Sequence, residues 1–320
     1  MTNCLYLWIH PAFAILRGNS YNIVYYIARR QPMKTKSFCI RNGEKFKLYE
    51  MKCDDTLKYS ENDQPKVEQE MQKNIVEIAG LQDKLYAQNT HAILLIIQAM
   101  DAAGKDGTIK HVTSGLNPQG CMVSCFKAPS TLELDHDYLW RISKELPQRG
   151  MIGIYNRSHY EEVVVAKVHN LPAKQQLPKE CVKNDIWKNR YRQINDFERY
   201  LYENGIMPVK IFLNVSKKEQ KNRILSRIDD PTKNWKFSAG DLAERELWPD
   251  YQKAFEDMIR NTSTEYAPWY VVPADNKWFA RALVSKILLE TLQDIAPEYP
   301  ELPVDQKKLL SHYREVLQND

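Results

Sequence analysis

The chain lacks the marks of several protein classes. Its six cysteines, Cys4, Cys39, Cys53, Cys121, Cys125 and Cys181, form no C-x-x-C pair and share no metal-ligand rhythm with its seven histidines. That excludes a paired-cysteine redox motif and a thiolate metal site, and leaves structural thiols suited to a reducing cytoplasm, the expected location. Charge of one sign is not in large excess. Against 41 Asp and Glu stand 45 Lys and Arg, a net +4, too mild for a nucleic-acid-binding protein, so any basic character must be local. A membrane partner is not expected either. The apolar stretch LYLWIHPAFAIL, Leu5 to Leu16, falls short of the roughly 20 residues that span a bilayer. It also has no basic run before it and no clear small-residue cleavage site. There is no internal repeat and no low-complexity linker.

What is present is enough apolar residue, 43% of 320, to bury a full α/β core. Residues 1–32 read as an upstream extension of the frame, with Met33 as the physiological start; mass spectrometry of natively expressed protein showing an earlier first residue would refute this. Residues 33–64 read as a polar lead-in arm, 65–295 as one core with a lid at about 218–245, and 296–320 as a tail with one short helix. Within the core, Met71, Ile75, Ile78, Leu81 and Leu85 recur at helical spacing. A buried-strand run follows at 92–98, rich in Ile and Leu as central parallel strands are. Further strands are expected at 121–129, 151–156, 207–216 and 268–274, and helices after Gly104 and over 133–146, 184–205, 218–228, 242–261 and 277–292. Strands alternating with helices predict a parallel sheet with helices on both faces. Trp140, Trp187 and Trp269 read as core.

The stretch HAILLIIQAMDAAGKDGTIKH, His91 to His111, places Gly104 and Lys105 where a phosphate loop keeps its glycine and lysine. The full G-x-x-x-x-G-K-[ST] would need glycine at Ala99 and a hydroxyl at Asp106. A phosphate loop needs only a strand end, a backbone curl with inward N–H groups, and a helix start. Gly104 permits the curl, Lys105 supplies the charge, Gly107 allows close approach, and Ala99 suffices if its φ stays negative. At the end of the third strand, where P-loop enzymes hold a metal-binding carboxylate, stands Asn156. The carboxylates sit in the loop itself, at Asp101 and Asp106; Asp101 is the better metal candidate, since Asp106 also suits a helix N-terminus. Arg223 and Arg227 share one helix face and run into DDPTKNWKFSAGD (229–241), whose Lys233 and Lys236 flank Trp235. A basic helix entering a Pro/Gly loop after the fourth strand is where small-molecule kinases carry a closing lid. Together these point to a phosphotransferase.

QAMDAAGKDGTIKHV, SGLNPQGC, FKAPS, ELDHDYLWR, NRSHYEEV, RYRQINDFER, DDPTKNWKFS and STEYAPWYVVPADNKW together resemble the polyphosphate kinase 2 family, from about Phe38 to about Leu292. The NRSHYE form is similar to the subgroup that phosphorylates both AMP and ADP. The resemblance implies a P-loop kinase core with a lid, and transfer of the terminal phosphoryl group of inorganic polyphosphate to a nucleotide with Mg²⁺, Mn²⁺ being an alternative. It assigns Asp101, Lys105 and Asp106 to the phosphate loop, Asn156 and Arg157 to the Walker-B-like pair, Glu161 to the acidic position of the subgroup, and Arg223 and Arg227 to the lid. We expect Ala102, Ala103, Gly104, Gly107 and Lys110 to bind phosphate, Asp101 and Asn156 to hold the metal, and Arg157, Glu161 and Glu162 to bind nucleotide. Glu162 departs from an expected Asp. Lys110, His111 and Lys127 are candidates for a basic channel, and His159 and Tyr160 for packing beside the site. A homo-oligomer is expected, because the apolar stripes at 66–88 and 305–317 suit a subunit interface as well as a core. Two other readings stay open: an ATP-dependent nucleoside monophosphate kinase, and a polyphosphate-binding protein without catalysis.

Overall fold

A computed structural model of the chain describes residues 33–183 and 185–320; the expected extension at 1–32 lies outside them. In chain order the elements begin with β1 (Cys39–Ile40), α1 (Gln64–Gln88), β2 (Ala92–Ala99), α2 (Lys105–Val112), β3 (Cys121–Cys125), α3 (Thr131–Leu134), α4 (Trp140–Lys144), β4 (Ile152–Asn156) and α5 (Val165–Val168). They continue with α6 (Ile186–Glu203), β5 (Ile206–Asn214), α7 (Lys217–Asp229), α8 (Ala239–Glu246), α9 (Trp248–Thr262), β6 (Trp269–Pro273), α10 (Lys277–Ile295) and α11 (Val304–Gln318).

The six strands lie in the order β1-β6-β5-β2-β4-β3. All pairs are parallel except β1 with β6. β2 is central and every residue in it is buried, which is why its apolar run shows no alternation. α10 packs against both α1 and α2, and α9 against both α5 and α6. Register carries the functional consequence: Ile97 and Cys125 both stand opposite Asn156, so the loops leaving β2, β3 and β4 emerge side by side. Ligands of open parallel sheets bind at that edge.

Four expectations change in detail. The lead-in arm contributes β1, paired through Cys39↔Tyr270 and Ile40↔Trp269, and buries Phe38, Phe46 and Leu48; a two-residue strand carries no periodic signal. The helix expected over 133–146 breaks into α3 and α4. Ser130 and Glu133 cap the first piece reciprocally, and the Asp137 carboxylate accepts the Leu139 N–H at 2.9 Å, a local bond that competes with helix. The helix expected over 242–261 is α8 and α9, separated at Leu247 with Pro249 in the first turn of the second, where proline is tolerated. Of the three tryptophans read as core, Trp269 is buried, while Trp140 and Trp187 are half-buried; Trp140 stacks on His136 with ring centroids 3.9 Å apart.

The two helices considered as interfaces differ. α1 turns its stripe onto α10, whereas every residue of α11 is exposed, including Leu309, Leu310 and Tyr313. Among the described residues no helix is long and apolar enough to cross a membrane, and the described cysteines are free thiols.

Candidate active site

Beyond the carboxyl ends of β2, β3 and β4 lies a cleft of about 940 Å³. Its floor is the turn from Met100 to Gly104. Ala102 and Gly104 take φ values of 60° and 108°, a left-handed curl that for Ala102 is strained and must be held from outside. Arg223 holds it. Its buried guanidinium donates to the carbonyls of Ala103 at 2.5 Å, Ala274 at 2.5 Å and Asp275 at 3.1 Å, and its Nε to Glu219 at 2.7 Å. Ala99 stays in the strand, outside the positive-φ residues, so alanine replaces glycine there without strain.

Lys105 opens α2 and is almost fully buried. Its ammonium folds back on the carbonyls of Ala99 at 3.0 Å and Met100 at 3.2 Å, with the Asp101 carboxylate at 3.9 Å. Arg157, at φ 65°, follows β4 and bridges two carboxylates: it bonds to Asp101 and to Glu161 at 3.2 Å. Asn156 donates its amide to the exposed Asp106 carboxylate at 2.7 Å, which leaves the Asn156 carbonyl oxygen beside that carboxylate. Arg227 pairs with Asp241 at 2.8 Å and donates to the Lys236 carbonyl at 3.2 Å, so it ties the 229–241 loop back onto α7.

Among the described residues, Lys127, Lys233, Lys236, Lys277 and Arg281 join Lys105, Arg157, Arg223 and Arg227 around this cleft, against Asp101, Asp106 and Glu219. Nine cations to three carboxylates, in a chain of net +4, is the local basicity that composition could not display; it suits a polyanion. A second cleft of about 710 Å³ lies past the 125–129 segment. There Glu162 pairs with Arg190 at 3.3 Å and receives Gln175 at 3.3 Å, and the Arg190 guanidinium lies 4.1 Å from the Tyr138 ring centroid.

Residues 60–300 match the family described as Polyphosphate kinase 2. The chain belongs to the polyphosphate kinase 2 family. It is 47% identical over 290 residues to an ADP-polyphosphate phosphotransferase of Rhodopseudomonas palustris, covering 89% of this chain and 99% of that protein. It is 43% identical over 275 residues to an AMP/ADP-polyphosphate phosphotransferase of Meiothermus ruber, covering 86% and 99%. The crystal structure of polyphosphate kinase 2 from Arthrobacter aurescens TC1 superposes with a TM-score of 0.80 at 39% identity, over 88% of this chain and 95% of that one.

In this polyphosphate kinase 2 chain the expected site residues do not all meet. Asp101, Ala102, Ala103, Gly104, Lys105, Asp106, Gly107, Asn156, Arg157, Arg223 and Arg227 line one cleft. Glu161 reaches it through Arg157, and Glu162 lies in the other cleft. Lys110 is exposed on the far part of α2 and lines neither. Lys277 and Arg281 were missed, although their spacing of four at a helix start after a strand repeats the signal that singled out Arg223 and Arg227. Arg190 opens the RYRQINDFER motif but was given no role, and Gln175 left no signal, because the fold alone brings them to Glu162.

Electrostatics sets one pH dependence. Burial, and then the nearby Arg157 charge, lower the Lys105 pKa from its ordinary 10.5, with Asp101, Glu161 and Asp106 opposing. Only the ammonium carries the charge that an anion needs, so if Lys105 serves a phosphate that attraction is lost as pH rises through the lowered value, earlier than for an exposed lysine. Arg157 contributes nothing to this loss. Burial pulls its pKa down, but Glu161 and Asp101 more than offset that. A pH series of KM for the polyanionic substrate is therefore expected to rise on the alkaline side below 10.5; a flat profile to that pH would refute the assignment.

Proposed function

We propose that the protein transfers the terminal phosphoryl group of inorganic polyphosphate to AMP and to ADP, forming ADP and ATP, and that it does so reversibly. The observation that carries this is the excess of cations around a P-loop at the end of β2. Both substrates are polyanions, so neutralising their repulsion and holding the reacting oxygens in line is most of the task. An acceptor phosphate is already deprotonated at neutral pH, so no general base is needed.

Lys105 and the N–H groups of the 101–105 turn take the donor's terminal phosphates. Arg157 presents its planar fork to the transferring group or the acceptor phosphate, and Glu161, accepting from it at 3.2 Å, anchors it. Arg223 acts as a positioning residue: its donors are spent on loop carbonyls. Arg227 and Lys236 close the lid side and exclude water. The nucleoside of the acceptor extends into the cleft lined by Tyr138, Glu162, Gln175 and Arg190.

The hard oxygen donors fit Mg²⁺, which takes one or two carboxylates and leaves its remaining positions to phosphates and water. Asp106 and the Asn156 carbonyl lie side by side, and Asp101 faces the same cleft; these three would hold it. When bound, the metal neutralises charge on the phosphoryl oxygens. Its identity is part of the proposal.

The test uses purified protein, AMP, long-chain polyphosphate and Mg²⁺ without ATP, with products separated by ion exchange. ADP followed by ATP is expected. ADP alone would narrow the acceptor to AMP. No product until ATP is added would overturn the donor assignment in favour of a nucleoside monophosphate kinase.

A further inference from the structure

Two polar residues of the lid region line neither cleft, yet they reach the phosphate loop. The first is Gln220, buried on α7. Its Nε2 donates to the Asp101 carbonyl oxygen at 2.9 Å. Three residues on, Arg223 donates to the Ala103 carbonyl at 2.5 Å, so one face of α7 holds two carbonyls of the turn. A trans peptide points its C=O and N–H in opposite directions, and no described peptide is cis. Drawing the Asp101 and Ala103 oxygens onto α7 therefore turns the N–H groups of Ala102 and Gly104 away from that helix. The N–H between them, of Ala103, bonds to the Met100 carbonyl at 3.2 Å. Ala102 itself stands at φ 60°, a strained value that its surroundings must maintain.

The second residue is Arg245 on α8. Its Nη1 donates to the Gln220 Oε1 at 2.8 Å and to the Lys217 carbonyl at 2.7 Å. A guanidinium cannot accept, so this bond fixes which end of the Gln220 amide is the oxygen and leaves its NH₂ facing Asp101. α8 has no buried residue. Polar ties hold it instead: Asp241 to Arg227 at 2.8 Å, and Glu244 to His169 at 2.9 Å and to Tyr251 at 2.5 Å. An element with so little apolar burial opens at low cost. When α8 leaves, the Gln220 amide loses the partner that orients it.

We propose that Gln220 is a positioning residue that sets the Ala102 N–H of the phosphate loop, and that Arg245 makes this setting depend on α8 being docked. The loop thereby reads the position of the lid helix through one buried amide. This rests on the protein being a phosphotransferase that uses this loop.

Wild type, Gln220→Met, Arg245→Met and the double variant are compared with long-chain polyphosphate, AMP and Mg²⁺. Methionine keeps the length of either side chain and removes its hydrogen bonds. Gln220→Met is expected to lower kcat about tenfold, the size of one lost hydrogen bond. KM for both substrates stays put, as for an interaction realised only in the transition state. Arg245→Met lowers kcat by a smaller factor. The double variant is no slower than Gln220→Met, because Arg245 acts through that glutamine. Gln220→Glu still accepts from Arg245 but cannot donate to Asp101, so it is as slow as Gln220→Met. Losses that multiply in the double variant, a rise in KM in place of the fall in kcat, or a Gln220→Glu as fast as wild type overturns the proposal. If Gln220→Met lowers the unfolding midpoint, Arg245→Met decides, since it leaves Gln220 in the core; an unchanged kcat there overturns the link to α8. A wild type that forms no product would instead sink the phosphotransferase reading itself.

Discussion

Lys105→Ala is expected to lower kcat/KM with polyphosphate and AMP by roughly 10³-fold, about 4 kcal/mol of transition-state stabilisation, with the fold intact. In phosphoryl transfer the protein supplies position and charge rather than covalent chemistry, so one buried cation at the reacting phosphates carries a large share. Lys105 is such a group, nearly inaccessible at the start of α2, and its ammonium bonds to the Ala99 and Met100 carbonyls at the edge of the cleft, which water can satisfy once the side chain is gone. The fold is expected to persist because α2 keeps Ile109 and Val112 in the core. Circular dichroism and steady-state kinetics check both halves. The same variant separates catalysis from mere binding: a polyphosphate carrier would lose little affinity, since eight other cations remain around the cleft. An activity within tenfold of wild type would refute the role given to this lysine.

Lys210→Met carries the largest expected stability effect. The Lys210 ammonium and the Glu198 carboxylate are both fully buried and 2.7 Å apart. The same ammonium donates to the Tyr160 hydroxyl at 3.0 Å and the Thr262 carbonyl at 2.6 Å, and the Tyr160 hydroxyl donates to Glu198 at 2.6 Å. Burial lowers the Lys210 pKa with Glu198 opposing. At Glu198 burial pushes upward, but the charges and hydrogen bonds of Lys210 and His159 together outweigh it, so that carboxyl stays below its ordinary value. Removing the lysine alone strands a buried anion, a loss of about 3–5 kcal/mol. Thermal unfolding should show it as a midpoint lower by several degrees. Adding Glu198→Leu removes the stranded charge and is expected to restore most of the loss; a double variant no better than the single would refute this. Tyr160 sits in the 157–162 turn that carries Arg157 and Glu161, so the single variant should also lower kcat. In this way the pair acts as a positioning device for the site as well as a core contact.

Element types, strand positions and the phosphate loop were legible because each leaves a local mark: an unbroken apolar run for β2, helical spacing in α1, Gly104-Lys105 after a strand. The breaks at Asp135–Asp137 and at Leu247 were not, since a single side-chain bond or a proline in a first turn decides them against an otherwise helical pattern. Arg223 shows the same division within the site. Its spacing from Arg227 marked a basic helix face, but spacing could not say that its guanidinium would be spent on the carbonyls of Ala103 and Ala274.

By itself the sequence determined the parallel α/β class, the phosphate loop with its displaced carboxylates, and the family. These depend on residue types within a few turns of one another, and the chain writes such information in order. Only the tertiary structure decided that Arg157 bridges Asp101 and Glu161, that Glu162 turns away to Arg190 and Gln175, and that Lys277 and Arg281 complete the basic wall. Those contacts join residues far apart in the chain, and strand order and register bring them together; pairing Ile97 with Asn156 rather than its neighbour is enough to settle which side chains share a cleft.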